Sequence, residues 1–189
     1  MIRIAVVGDI GSGKSHIAKL FKYPIFNADL EVAKIYKTNK KCFKNLKKKL
    51  PKHFSSPPIK KEEIIKAIFA SEINLKKITD IVYPEIRKKI KIFLKNNKKE
   101  DAVILDIPLL LENRLNQNGD IIIYIQSKKS KATKRLKKRR NFNSDLLNKF
   151  KKIQLPLSYK KKKSQFVIKN DFTNKTVNKS IKKIIKDIL

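Results

Sequence analysis

A chain of 189 residues suits one globular unit able to bury a core, and 41% hydrophobic content argues against disorder despite 34% charged residues. The single cysteine, Cys42, excludes an internal disulfide and fits a reducing compartment. With 48 Lys and Arg against 16 Asp and Glu, the formal charge is +32, a surplus that suits a polyanionic partner such as nucleic acid, an anionic surface or a phosphorylated ligand.

Residues 2–7 are β-branched and nearly uncharged, which predicts a buried strand ending at Gly8. Ile17, Leu20 and Phe21 then fall at helical spacing over 16–22, and residues 23–27 predict a short second strand. From about 31 to 98 the texture is amphipathic helix. One apolar stripe is Ile64, Ile65, Ile68 and Phe69; another is Ile86, Ile90, Phe93 and Leu94, with Pro84 expected to open that helix. HFSSPPIKKEE reads as the loop before them. Uncharged strands are expected at 102–105, ending in Asp106, and at 121–125. A basic helix at 130–140 and another at 144–154 follow, then a last strand at 165–168. A C-terminal helix is striped by Val177, Ile181, Ile184, Ile185 and Ile188. Apolar strands separated by helices imply an α/β fold with a parallel sheet covered on both faces.

The lysines are spread over KTNKKCFKNLKKKL, IRKKIKIFLKNNKKE and SIKKIIKDIL alike. They read as solvated helix faces in a Lys-, Ile- and Asn-rich composition, so no specific nucleic-acid partner is expected. The opening MIRIAVVGD has too short an apolar run for a signal peptide, and no later stretch suits a membrane span. The expectation is a cytoplasmic protein with no membrane partner. Oligomeric state has no signature in the sequence.

Only four glycines occur in the chain, and Gly8, Gly11 and Gly13 lie in one short window. GDIGSGKS, residues 8–15, fits G-x-x-x-x-G-K-[ST] between a predicted strand and a predicted helix. Glycines let successive backbone N–H groups point at one phosphate chain, and the helix that follows adds partial positive charge. Residues Gly11, Ser12, Gly13, Lys14, Ser15 and His16 are therefore candidates to bind a nucleoside triphosphate. Lys14 is expected at the β and γ phosphates, the Ser15 hydroxyl on Mg²⁺, and His16 to act through its backbone N–H.

Three more segments bear on the chemistry. In IFNADLEVAKIY, Asp29 ends the second strand, where it is either an acid that orients or deprotonates a hydroxyl or a helix N-cap. In VILDIPLLLEN, Asp106 ends the third strand and can hold Mg²⁺ directly or through water. In ATKRLKKRRNFN, Arg135 and Arg139 stand four apart, on one helix face that either closes over a triphosphate or is merely solvated.

In order, these segments resemble the dephospho-coenzyme A kinase family, whose pattern runs GGIGSGKS, DAD, HP-I, PLL-E, Q--R---R and AD-VI-N. The chain has GDIGSGKS at 8–15, NAD at 27–29, YPEIR at 83–87, DIPLLLE at 106–112, Arg135 and Arg139, and SQFVIKN at 164–170. The match covers residues 1 to about 175, and its most specific parts are IPLLLE and the NAD element. Asp9, Asn27, Tyr83, Ala132 and Ser164-Gln165 depart from the pattern.

The resemblance implies a P-loop core of about five parallel strands in one domain over 1–189. A helical acceptor-binding insertion would occupy about 31–98 and a lid about 128–162. It implies ATP-dependent phosphorylation of the ribose 3′-hydroxyl of dephospho-CoA, the last step of coenzyme A synthesis. Asp29 would activate or orient that hydroxyl, ATP with Mg²⁺ would lie on residues 11–16, and Arg135 and Arg139 would close over the phosphates. Asn170, in a turn after the last strand, would border the adenine. Alternatives are a kinase for another nucleoside or nucleotide, lacking the DIPLLLE context, and a basic nucleic-acid-binding P-loop protein.

Overall fold

The computed structural model describes residues 1–139 and 142–189. It divides into two compact units, one of residues 1–27, 94–143 and 153–189, the other of 28–93 and 144–152.

The first unit is built on a parallel sheet. Its strands are β1 (Ile2–Gly8), β2 (Ile25–Asn27), β3 (Ala102–Asp106), β4 (Ile121–Ser127) and β5 (Phe166–Asn170), in the spatial order β2-β3-β1-β4-β5. The expected α/β class and strand number are those observed. Every residue of β3 is buried, as an uncharged run between two neighbouring strands must be. The chain winds to one side of β1 through β2 and β3, then to the other through β4 and β5. Strand order thus reverses around β1, and such a switch point opens a ligand crevice at the carboxyl ends of the strands. At that edge Asn27 stands in register with Asp106, Gly8 with Ile125, and Ser127 with Asn170.

Helices α1 (Lys14–Leu20), α6 (Lys129–Lys137), α8 (Leu157–Lys162) and α9 (Asn174–Ile188) belong to this unit. Ile17, Ala18 and Phe21 from α1 and its end, and Val177, Ile181 and Ile184 from α9, close the core over Ile4, Val6, Ile104, Ile123 and Ile168. On burial of this kind each aliphatic side chain contributes about 1.5–3 kcal/mol. At the opposite edge Arg3 pairs with Asp120 at 3.0 Å, and Asp120 also accepts the Gln117 N–H. Burial raises the Asp120 carboxyl above its ordinary range, against the lowering by the Gln117 N–H and the Arg3 charge.

The second unit comprises α2 (Ala28–Thr38), α3 (Lys40–Lys49), α4 (Lys61–Ala70), most of α5 (Glu72–Asn96) and α7 (Ser144–Lys152). The 128–162 stretch therefore divides between the units, with α7 packed on α4. Lys149 lies over the Phe69 ring at 5.7 Å, and Lys152 pairs with Glu72.

Three local expectations are corrected here. Pro84 does not open a helix; it lies inside the 25-residue α5. Leu75, Ile78, Val82, Ile86 and Ile90 are buried in one stripe across it, while Pro84 and Asp80 are exposed, so the hydrogen bond that proline removes falls where water can replace it. Phe69 leaves the expected stripe, and Ala67 takes the inner position between Ile64 and Ile68. The basic helix α6 stops at Lys137, with Lys138 as its C-cap, so Arg139 lies beyond it and the one-face argument for Arg135 and Arg139 fails. Leu136 is the last apolar residue of α6, and the exposed Lys137, Lys138 and Arg139 after it would continue the helix at repulsive i,i+3 and i,i+4 spacing from Lys134 and Arg135.

Candidate active site

The phosphate loop leaves β1, the central strand, at Gly8. Asp9 turns it: its side chain accepts the Ile10 N–H at 2.7 Å and its carbonyl accepts the Ser12 N–H at 3.2 Å. Lys14 bends back over the loop and donates to the Gly8 and Asp9 carbonyls at 3.2 and 2.8 Å. Its ammonium is thus held over the concave loop, where a strand-end backbone curls around an anion.

Two of the glycines are required by what presses on them. At Gly11 (φ +83) a Cβ would come within 2.7 Å of the Leu136 side chain from α6. At Gly13 (φ +94) a Cβ would overlap the Asn170 amide. Both conformations are left-handed and disfavour a side chain. Gly11 and Gly13 are therefore fixed by α6 and β5 as much as by the loop itself.

Asn170 is the last residue of β5 rather than part of a following turn. It is buried, donates from its amide to the Ser12 carbonyl at 2.7 Å and accepts the Phe172 N–H at 2.9 Å. Both ends of its side chain are thus used as a brace behind the loop. Ser12 is fully buried, and its hydroxyl has no hydrogen-bond partner among the described residues. Ser15 and His16 are exposed on α1, and the His16 ring nitrogen Nε2 lies 2.8 Å from Asn174 Oδ1. Burial, with the charge of Asp9 adding, pushes the Tyr124 phenol on β4 above its ordinary range.

Asp106 is buried at the end of β3, and its Oδ2 accepts from Asn27 Nδ2 at 2.8 Å. Asn27, where the family pattern carries an acid, therefore leaves Asp106 with a neutral donor instead of a second negative charge. The residues expected to hold Mg²⁺ are a hydroxyl, Ser15, and a carboxylate, Asp106. Hard oxygen donors of this kind, few in number and completed by phosphate and water, are what Mg²⁺ takes. No cluster of three His, Cys, Asp or Glu that could hold a metal occurs among the described residues.

Asp29 is the second residue of α2 and is exposed. The helix begins at Ala28, so Asp29 occupies the first turn, not the N-cap, and the cap alternative is set aside. It belongs to the second unit and Asn27 to the first, with the boundary between them.

Arg135 sits near the end of α6 with its guanidinium over the Phe172 ring at 4.8 Å. Arg139 is exposed in the bend after α6 and donates its N–H to the Leu136 carbonyl at 3.0 Å. Phe172 and Leu136 escaped the sequence reading. The Asn-Asp pair before Phe172 marks a turn, but nothing in the sequence says what its ring meets.

Another pairing was equally hidden. Glu112, which closes the IPLLLE run, pairs with Lys160 of α8 at 2.6 Å, both side chains buried. It also accepts the Leu155 N–H at 3.0 Å. Helix α8 itself went unpredicted, because LSYKKK has no apolar stripe.

The chain is similar to known proteins over most of its length. The family model described as dephospho-CoA kinase matches residues 2–176. A curated dephospho-CoA kinase from Wolbachia of Brugia malayi is 30% identical over 187 residues, covering 96% of this chain and 95% of that protein. Among solved structures, a protein of Thermus thermophilus superposes with a TM-score of 0.77 at 21% identity, covering 100% of this chain and 98% of that one. The dephospho-CoA kinase of Campylobacter jejuni superposes at 0.63 with 22% identity, covering 98% and 96%.

Proposed function

The chain belongs to the dephospho-CoA kinase family, and from that premise we propose how its residues carry ATP-dependent phosphorylation of the ribose 3′-hydroxyl of dephospho-CoA. The observation that supports the reading best is the phosphate loop at the carboxyl end of the central strand, with its lysine folded over it.

The backbone N–H groups of residues 11–16 bind the triphosphate, and Lys14 exchanges its two carbonyl partners for the β and γ phosphate oxygens. Ser15 and Asp106 hold Mg²⁺. An ion held by these two residues would supply positive charge against the negative charge of the triphosphate. Asp29 accepts a hydrogen bond from the 3′-hydroxyl, which aims its oxygen lone pair at the γ phosphorus and gives the proton somewhere to go as the new P–O bond forms and ADP leaves. Arg139, outside the helix and exposed, meets the transferring phosphoryl group. Arg135, from α6 with its guanidinium over the Phe172 ring, closes over the phosphates with Arg139. Positioning and charge account for most of catalysis in phosphoryl transfer, and these residue types supply both.

The test is ADP release by the full chain, followed by a coupled assay with ATP and Mg²⁺ and a panel of acceptors. Turnover that requires dephospho-CoA, and is lost on chelation of Mg²⁺, is the expected outcome. Equal turnover with another nucleoside or nucleotide would overturn the acceptor assignment.

A further inference from the structure

The phosphate loop carries an anion of its own. Where the family pattern has glycine, the second loop residue here is Asp9, half-buried directly after the central strand. Its Oδ1 accepts the Ile10 N–H at 2.7 Å. Its carbonyl accepts the Lys14 ammonium at 2.8 Å and the Ser12 N–H at 3.2 Å. One residue thus engages the turn, the body of the loop and the lysine folded over it. The carboxylate sits inside a structure whose curled N–H groups and lysine are arranged for a negative ligand.

The turn does not need the charge. An Asn side chain offers the Ile10 N–H the same acceptor, and Asn and Asp make such local bonds alike. What the carboxylate adds is a negative charge, and its reach is visible on β4. There burial first, and the Asp9 charge second, push the Tyr124 phenol above its ordinary range. Tyr124 pairs in register with Val7, two residues before Asp9. A resident anion lowers the affinity for a polyanion in proportion to the charge of that ligand. Free ATP carries about four negative charges and its Mg²⁺ complex about two, so the penalty on the complex is about half. In a chain of net charge +32, free polyanions are the ligands that would otherwise collect at such a loop.

We propose that Asp9 is a specificity-determining residue of the phosphate loop, admitting a triphosphate that brings its own divalent cation and disfavouring free polyphosphate. The proposal rests on the reading of residues 11–16 as the triphosphate cradle. In the free protein the carboxylate holds the Ile10 N–H and offsets part of the positive charge that Lys14 brings to the loop. When a triphosphate enters, Asp9 opposes whatever negative charge the ligand's cation leaves uncompensated. Like-charge opposition of this kind discriminates by excluding the wrong ligand, not by adding a contact to the right one.

The test is equilibrium titration of the full chain with ATP and with tripolyphosphate, each in excess Mg²⁺ and in EDTA, with melting curves to show that every variant is folded. Asp9→Asn keeps the acceptor for Ile10 and removes the charge. It should bind both ligands about tenfold more tightly in EDTA and only about threefold more tightly with Mg²⁺. The advantage that Mg²⁺ confers on binding therefore shrinks by about threefold. Asp9→Gly, which lacks both charge and acceptor, should show the same pattern. Equal gains with and without Mg²⁺ would mean that Asp9 does not distinguish the two forms of the ligand and would overturn the proposal. Unchanged affinity in the folded Asn variant would do the same and leave Asp9 a turn residue only. So would a gain confined to Asp9→Gly, which would trace to loop freedom instead of charge. If the wild-type chain and both variants bind neither ligand under either condition, the cradle reading itself fails, and that outcome is distinct from the others.

Discussion

The Glu112–Lys160 pair offers a stability test whose size follows from burial. The two side chains are 9% and 4% exposed, the Nζ to Oε1 distance is 2.6 Å, and the same Oε1 accepts the Leu155 N–H at 3.0 Å. An exposed pair contributes at most about 1 kcal/mol, whereas removing one partner of a buried pair leaves an uncompensated charge and costs about 3–5 kcal/mol. Lys160→Met leaves the Glu112 carboxylate with the Leu155 N–H and should fall in that range. Glu112→Gln keeps an acceptor for Leu155 but strands the Lys160 ammonium, so a loss of about 3 kcal/mol is expected. For a chain of this size that corresponds to a drop of about 6–12 °C in melting temperature. The double variant removes both charges and should recover to within about 1 kcal/mol of wild type, giving a coupling of about 5 kcal/mol or more. The measurement is thermal and urea unfolding of all four proteins by circular dichroism. If both single variants cost less than about 1 kcal/mol, or if the double variant costs the sum of the two, the pair is not the buried clamp argued here.

Lys14→Ala should abolish phosphoryl transfer with a melting curve close to wild type; near-normal turnover in the folded variant would remove the phosphate-loop assignment. Asp29→Asn keeps the size of the side chain at an exposed helix start, so kcat should fall by about 10² or more with ATP affinity little changed, and a normal rate would place the base elsewhere. Burial, with the Glu85 carboxylate adding, pushes the Cys42 thiol up to about 11 from 9.0. Because the folded state holds its proton longer, stability should be unaffected below pH 9 and decline between about 9 and 11, and Cys42 should resist thiol reagents at pH 8 until the chain unfolds. Rapid labelling of the folded chain would contradict this. Binding to unrelated DNA should be weak and steeply salt-dependent, about 10⁻⁴ to 10⁻⁶ M at physiological salt, and a sequence-selective nanomolar complex would show that the +32 charge has a dedicated partner.

The chemistry of the phosphate loop was legible in the sequence because it is local. Eight consecutive residues carry it, and the rarity of glycine elsewhere makes Gly8, Gly11 and Gly13 stand out. The strands were legible for a related reason: β1, β3 and β4 have neighbours on both sides, so each is an apolar run nearly free of charge, with Arg3 near the start of β1 and Asp106 at the end of β3 as the exceptions. Tertiary structure decided whatever depends on partners distant in the chain. Pro84 could stay inside α5 only because its exposed side faces water while a continuous stripe is buried on the other, and sequence sees the proline but not the side. Lys160 is one of several identical lysines in a run, and only its meeting with Glu112 separates it from the solvated ones. Arg135 was marked by its place in a basic helical segment, yet the ring it touches, Phe172, comes from a turn beyond β5. A side chain's identity fixes which interactions it can make, and the fold selects the one that burial and register bring within reach.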